Sequence, residues 1–307
     1  MVQKDSLRKL ILTAGYGYSS EDLKIFLRSA KVHTPTTDIV VFTKGASSEF
    51  QNEIRSFNPK ATVVVPPDTS LRSSILKLKW GKRTLGRILT ILQKPFPSNV
   101  PIGPFKKLNS AMLHPTVARY LWAQTYLENC TLDPDMVMIT DSRDVYFQGD
   151  PFEEIQNGLV SGAESICIQD CPLNLSWIEQ VYSKQLAEQL SPMPIICSGV
   201  TMGSTGAIRS YLNALVIEIA NNKERIFFRP YLDQAIHNKI LRLEKTGTTS
   251  VTENGDSLVA SLSSSSMKEF YFENPEGLKT LTGKLVKIVH QYDRHDFLLE
   301  WSSTQYS

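Results

Sequence analysis

The sequence predicts an α/β fold: a mostly parallel central sheet with helices on both faces. Three observations predict it. Within the first 65 residues, apolar runs alternate with segments of helical periodicity in the order strand, helix, strand, helix, strand. A further helix and an apolar strand follow at Pro115–Asn129 and Met136–Thr140. The length of 307 residues, with 41% hydrophobic and 21% charged residues, is enough to bury one large core.

Residues Lys9–Ala14 form the first strand, which ends at Gly15-Tyr16-Gly17-Tyr18. Ser19 or Ser20 caps the next helix, and Glu21 and Asp22 lie in its first turn, where the helix dipole favours acids. Leu23, Phe26, Leu27 and Ala30 form its apolar stripe. Residues 39–43 are the second strand, Phe50, Ile54 and Phe57 mark the second helix, and 62–65 the third strand. Pro115 opens the helix that runs to about Asn129, and Asp133-Pro134 leads into the strand that stops at Asp141. Ser204-Thr205-Gly206 precedes a helix with Ile208, Leu212, Leu215, Val216 and Ile219 inward. Pro230 opens another, with Leu232, Ile236, Ile240 and Leu243 inward. Residues 246–266, rich in Ser, Thr and Gly with an Asn254-Gly255 turn, read as a hairpin or a mobile loop. Residues 285–289 form a last short strand that runs into His290, and no internal repeat is visible.

Composition excludes a disordered chain, a collagen-like repeat and a disulfide scaffold. No apolar run approaches the roughly 18 residues of a membrane span. The first apolar stretch is too short for a signal-peptide core. Cys130, Cys167, Cys171 and Cys197 in a chain without a leader predict reduced, buried thiols and a cytoplasmic setting.

The net charge of +2 conceals a division. The 59 residues 69–127 contain no acid and ten bases: Arg72, Lys77, Lys79, Lys82, Arg83, Arg87, Lys94, Lys106, Lys107 and Arg119. That stretch carries +10 and the rest of the chain −8. Ile75, Leu78, Leu85, Ile88, Leu89 and Leu92 give part of it helical periodicity, with Trp80 beside the lysines. It reads as a basic insertion or helical segment that meets an anionic membrane surface through 72–107, at the inner face of a membrane, or a phosphate-bearing acceptor. The alternative is a helix packed on the sheet with a solvated basic face. No nucleic acid is expected.

The segment Met136-Val-Met-Ile-Thr-Asp141-Ser-Arg-Asp144-Val-Tyr-Phe-Gln-Gly-Asp150-Pro-Phe concentrates the chemistry. Two carboxylates emerge at the carboxyl end of a strand, where open α/β sheets place their ligands and where oxygen donors can hold a hard divalent cation. They also fit as turn residues, with Arg143 satisfying one of them. Other nucleotide folds fail on specifics. Gly15-Tyr16-Gly17 lacks the third glycine of the dinucleotide fingerprint, and the second strand runs on to Lys44 instead of a ribose-binding acid. There is no phosphate loop, no glycine-arginine signature of sugar nucleotidyltransferases and no G-x-S-x-G elbow.

The aspartate segment resembles the metal-binding "DxD" region of glycosyltransferases of the GT-A fold, the nucleotide-diphospho-sugar transferase superfamily, in its family-eight-like branch. Ile196-Cys197-Ser198-Gly199-Val200-Thr201-Met202-Gly203 resembles that family's N-[SA]-G-V-x-x-G segment. Tyr231-Leu232-Asp233-Gln234-Ala235-Ile236-His237-Asn238 resembles its D-Q-x-x-[FLI]-N helix start, and Val289-His290 its C-terminal metal-binding histidine. Together these span most of the chain in the family's order.

The resemblance implies a hexosyl- or pentosyltransferase, a single domain with a nucleotide-sugar half at 1–150 and an acceptor half at 151–307. It implies that Thr13, Ala14, Gly15 and Tyr16 line the base and ribose of a nucleotide sugar, UDP-linked rather than GDP-linked. Arg119 then reaches the donor's diphosphate or sugar, and Asp141 contacts ribose or sugar hydroxyls. Ser142, Arg143, Ser198 and Gly199 complete the donor surroundings. Asp144 and His290, with Asp141, hold Mn²⁺ or Mg²⁺. Asp233, with Gln234 beside it, flanks the transferred sugar or takes the proton of an acceptor hydroxyl on a glycan or lipid-linked acceptor.

One departure stands out: Ser142 and Arg143 both separate the aspartates, where the family has a single residue. A metal-independent transferase using Arg143, or a non-catalytic membrane- or polyanion-binding module on the same scaffold, are the alternative functions. Residue by residue, Asp233 also fits a helix first turn, His290 a satisfied surface histidine, and Gly15 and Gly17 a tight turn.

Overall fold

The computed structural model describes residues 7–66, 113–155, 158–226, 229–244, 247–262 and 267–307. The chain begins with β1 (Lys9–Ala14), α1 (Ser20–His33), β2 (Asp38–Phe42), α2 (Ser48–Phe57) and β3 (Ala61–Val64), as its periodicity predicts. Then come α3 (Pro115–Asn129), β4 (Met136–Thr140), β5 (Val145–Phe147) and β6 (Leu159–Cys167). They are followed by α4 (Pro172–Val181), α5 (Lys184–Leu190), β7 (Pro194–Ser204), α6 (Thr205–Asn221) and α7 (Lys223–Ile226). The remainder comprises α8 (Asp233–Leu243), β8 (Thr249–Thr252), β9 (Val259–Ser261), β10 (Phe270–Glu273), β11 (Gly277–Thr280), β12 (Ile288–His290) and α9 (Asp296–Gln305).

Among the described residues seven strands form the central sheet, in the order β3-β2-β1-β4-β7-β6-β8. The pairs β3–β2, β2–β1, β1–β4 and β6–β8 are parallel, while β4–β7 and β7–β6 are antiparallel. Strand side chains alternate between faces, so the two sides acquire separate cores. Leu10, Leu12, Val137 and Ile139 pack with the stripes of α3, α6 and α8, while Ile11, Ile39, Val41 and Met138 pack with Leu23, Phe26, Leu27 and Ala30 of α1. The α1 cap is Ser19, whose side chain accepts from the Asp22 N–H while the Asp22 carboxylate accepts from the Ser19 N–H, a reciprocal capping box.

Four local expectations are corrected. Among the described residues of the 246–266 stretch no hairpin forms, because β8 adds to the sheet edge beside β6 whereas β9 pairs with β12. The last strand begins at Ile288; Leu285 instead bridges to Lys279 and is exposed. The helix expected at Pro230 starts at Asp233, and Leu243 at its end is 38% exposed because the helix is leaving the core there. All four cysteines are free, but only Cys197 is buried.

A three-stranded sheet, β5-β12-β9, closes the C-terminal side of the molecule. Gln148 ties it to the β10–β11 hairpin: its amide donates to the carbonyls of Leu278 and Val286 and accepts from the Leu278 N–H. Helix α9 packs Leu298 against Tyr146 and Tyr292, and the hydroxyl of Tyr306 donates to the Phe147 carbonyl at 2.8 Å. Among the described residues, no helix is long and apolar enough to cross a membrane. The basic stretch 72–107 lies outside the described residues.

Candidate active site at the carboxyl ends of β1 and β4

The chain leaves β1 toward β2 on one side and returns with β4 on the other, so the sheet's topological switch point lies between β1 and β4. Open α/β sheets form their ligand crevice at such a point. Residues 13–16 close β1 and residues 141–144 close β4, so both aspartates open onto that crevice.

Thr13 is buried, and its hydroxyl donates to the Thr140 carbonyl at 2.8 Å, which fixes the two strand ends together. A Cβ on Gly15 would lie 2.9 Å from Leu23 Cδ1 and 3.0 Å from Val41 Cγ1, so the glycine admits the close approach of α1. Ala14 and Tyr16 are half-buried, and the Tyr16 ring stacks on Trp122 with centroids 5.6 Å apart.

Two strand pairings bring the remaining groups to the aspartates. The β4–β7 ladder continues with the Asp141 N–H donating to the Gly199 carbonyl at 2.8 Å. The β5–β12 register sets His290 opposite Val145, immediately after Asp144, and the Gln291 N–H donates to the Asp144 carbonyl. His290 Nε2 therefore lies 3.5 Å from an Asp141 oxygen and 3.9 Å from an Asp144 oxygen. The three ligand-type atoms of Asp141, Asp144 and His290 all lie within 4.8 Å of one another.

The two-residue gap in the motif does not separate the carboxylates, because both intervening side chains turn elsewhere. Ser142 is buried with its hydroxyl on the Ala14 carbonyl. Arg143 pairs with Asp293 at 3.4 Å and lies over the Tyr18 ring, so it is not the aspartates' counter-ion.

The counter-ion of Asp141 is Arg119. Its guanidinium, buried on α3, pairs with Asp141 and, at 3.1 Å, with Asp233, the first residue of α8. It also donates to the Ser198 carbonyl and the Tyr120 hydroxyl. Asp233 is held in place by its surroundings. Asn238 pairs with both backbone groups of Ile196, as a neighbouring strand would, and docks α8 on β7. Gln234 accepts from the Ser198 N–H and hydroxyl and donates to Asn174, so its amide clamps the same junction.

Burial alone would raise the Asp141 carboxyl, but the Arg119 guanidinium, with the His290 ring beside it, holds it down to about 2. Burial raises the Asp144 carboxyl against the pull of His290, and the Asp141 charge raises it further. Burial likewise raises Asp233 despite Arg119.

A divalent cation suits this donor set on three observations. Two carboxylates and an imidazole are oxygen and nitrogen donors of the kinds that divalent cations take. His290 Nε2 is buried with no hydrogen-bond partner among the described residues, and it faces the carboxylates. A Cβ at position 199 would lie 2.5 Å from Nε2 and 2.9 Å from Asp141 Oδ2, so only glycine admits the close approach of imidazole and carboxylate.

The structure thus brings together Arg119, Asp141, Asp144, Ser198, Gly199, Asp233, Gln234 and His290, and leaves Arg143 at an exposed edge. Tyr120, Asn174, Asn238 and Cys197 were not singled out by sequence as site residues. Each acts through a contact made only by folding, and only Asn238, four residues after Gln234 on one helix face, left a local trace.

No protein-family model and no curated protein sequence matches the chain. Among solved structures it is similar to galactosyltransferase LgtC in complex with donor and acceptor sugar analogs. The TM-score is 0.50 at 13% sequence identity, and the alignment covers 96% of this chain and 95% of that chain. The likeness extends over nearly the whole of both molecules, and the chain has the GT-A type of Rossmann-like fold.

Proposed function

We propose that this chain is a glycosyltransferase that moves a sugar from a nucleotide diphosphate sugar, UDP-linked by preference, to a hydroxyl of a glycan or lipid-linked acceptor. One observation carries the reading. A single buried guanidinium, Arg119, joins the carboxylate of the Asp141–Asp144–His290 group to the buried carboxylate of Asp233, so two functional halves meet in one crevice. The fold neighbour, a galactosyltransferase crystallised with donor and acceptor sugar analogs, supports the same reaction class.

In this reading residues 1–150 receive the donor and 151–307 the acceptor. Thr13–Tyr16 shape the wall for base and ribose, mainly through backbone and the Tyr16 ring. Asp141 meets ribose or sugar hydroxyls. Asp144, His290 and Asp141 hold Mn²⁺ or Mg²⁺, which when bound stabilises the leaving diphosphate as a Lewis acid. Arg143 stands at the rim, where it adds positive charge toward phosphate.

Asp233 flanks the oxocarbenium-like centre or accepts the acceptor's proton, and its raised pKa brings it nearer the range of an effective base. Gln234 and Ser198 hold it in register. On the acceptor side Tyr231, 55% exposed and two residues before Asp233, has the rings of His114 and Trp177 at centroid distances of 5.8 Å and 6.4 Å. Such a group offers an apolar face to a sugar ring. Contact with an anionic membrane through 72–107 rests on the basic composition of that stretch.

The test follows thermal unfolding with UDP or GDP, each with and without Mn²⁺, and then screens nucleotide sugars for donor hydrolysis. A ligand bound only by the folded state at 100 times its Kd adds about 2.7 kcal/mol. UDP with Mn²⁺ should stabilise the protein, and Asp144→Ala should lose the metal-dependent part. Stabilisation by neither nucleotide would refute the reading.

A further inference from the structure

Cys197 lies on β7 two residues before Gly199, so both belong to the strand face that meets the His290 imidazole. Its thiol is 4% exposed, and Sγ is 3.5 Å from His290 Nδ1. The far side of the ring has a different character: Nε2 has no hydrogen-bond partner among the described residues and faces Asp141 and Asp144 at 3.5 Å and 3.9 Å.

We infer that Cys197 is the positioning residue of this metal centre: its sulfur accepts the Nδ1–H of His290 and so fixes the ring with the Nε2 lone pair toward the two aspartates. The inference rests on the divalent-cation site of the proposed function.

The physical reason is the near-symmetry of an imidazole. Rotating the ring by half a turn about its bond to Cβ exchanges Nδ1 with a carbon and Nε2 with another, at almost no change in shape. Shape-complementary walls therefore do not choose between the two orientations, and a polar contact must. Sulfur opposite Nδ1 makes that choice, since in the flipped ring it would face a C–H and the carboxylates would face carbon. It also selects the tautomer. A ring nitrogen that binds a cation must be unprotonated, so the remaining proton belongs on Nδ1, where it needs an acceptor. Outer partners of metal-bound histidines are commonly carboxylates or carbonyls. A thiol is a weak acceptor and keeps no charge in the space behind the ring.

Mn²⁺ titrations of the full chain, read from the EPR signal of the free ion, test this with wild type, Cys197→Ala and Cys197→Ser. Loss of an outer partner typically weakens metal binding 10–100-fold. Cys197→Ala should fall in that range with its metal-free melting transition still cooperative, and Cys197→Ser, which keeps an acceptor, should recover most of the loss. Equal binding by Cys197→Ala and wild type would overturn the inference, as would equal losses in the alanine and serine variants, which would indicate packing alone. A second measurement needs no variant: the ¹⁵N shifts of His290 in the Mg²⁺-loaded wild type should report a proton on Nδ1. A proton on Nε2 would overturn the inference. Wild type that binds no Mn²⁺ would refute the metal centre itself and the inference with it, whereas binding that ignores Cys197 would refute the inference alone.

Discussion

Replacing Gly199 by alanine perturbs the crevice at its tightest point. The added Cβ would lie 2.5 Å from His290 Nε2 and 2.9 Å from Asp141 Oδ2, and closer still to His290 Cε1. Ordinary Cβ contacts begin near 3.4 Å, so roughly 1 Å of movement is required of one partner. Neither partner moves freely. His290 is 1% exposed with its ring against Cys197, and Asp141 is paired with Arg119 and tied by its N–H to Gly199 itself. Overpacking of this kind costs about 1–3 kcal/mol, and a displacement of that size at a reacting centre costs on the order of 100-fold in rate. Gly199→Ala should therefore unfold at lower urea, bind Mn²⁺ about 10–100-fold more weakly and lose donor hydrolysis. Gly206→Ala is the control, because nothing lies within 4 Å of its added Cβ and it falls in the first turn of α6. It should be neutral or stabilising by up to about 1 kcal/mol. Wild-type stability and Mn²⁺ affinity in Gly199→Ala would refute the reasoning.

Arg119→Met removes the buried cation between Asp141 and Asp233 and should cost about 3–5 kcal/mol at pH 7. The stranded carboxyls then bind protons more tightly folded than unfolded, so the deficit should shrink from pH 7 to pH 5 in urea titrations; a gap that ignores pH contradicts the account. His237 tests the core beside that cluster, one helical turn after Asp233 on α8. Burial, with Arg119 and Arg242 adding to it, lowers this imidazole to about 3, and its nitrogens meet the hydroxyls of Tyr211 and Ser161. The unfolded chain binds a proton that the folded one refuses, so stability is lost as pH falls from the ordinary histidine range toward 3. The slope approaches about 1.4 kcal/mol per pH unit. His237→Gln should flatten that part of the stability–pH curve, and parallel curves would disprove the assignment.

The elements legible in the sequence are those whose own residues carry the pattern. β1, α1, β2, α2 and β3 show it clearly, and Leu23, Phe26, Leu27 and Ala30 are all buried as their spacing requires. β6 escaped notice because Ser161 and Glu164 are buried within it, and their burial depends on partners in β7 and α8. α9 escaped because its buried residues, Leu298 and Ser302, make no apolar stripe. The pairing of β8 and β9 with different sheets follows from neighbours far along the chain, about which Asn254-Gly255 carries no information.

The sequence by itself determined the α/β class, the strand ends at Ala14 and Thr140, and the order in which Arg119, Asp141, Asp144, Asp233 and His290 occur. These follow from local periodicity and residue type, which act over a few positions. Only the tertiary structure decided that the two aspartates share one imidazole, that Arg119 and not Arg143 pairs with Asp141, and that a thiol stands behind His290. Those contacts join residues 22 to 150 positions apart and are set by the β4–β7 and β5–β12 registers, in which a slip of one residue would turn each side chain to the opposite face.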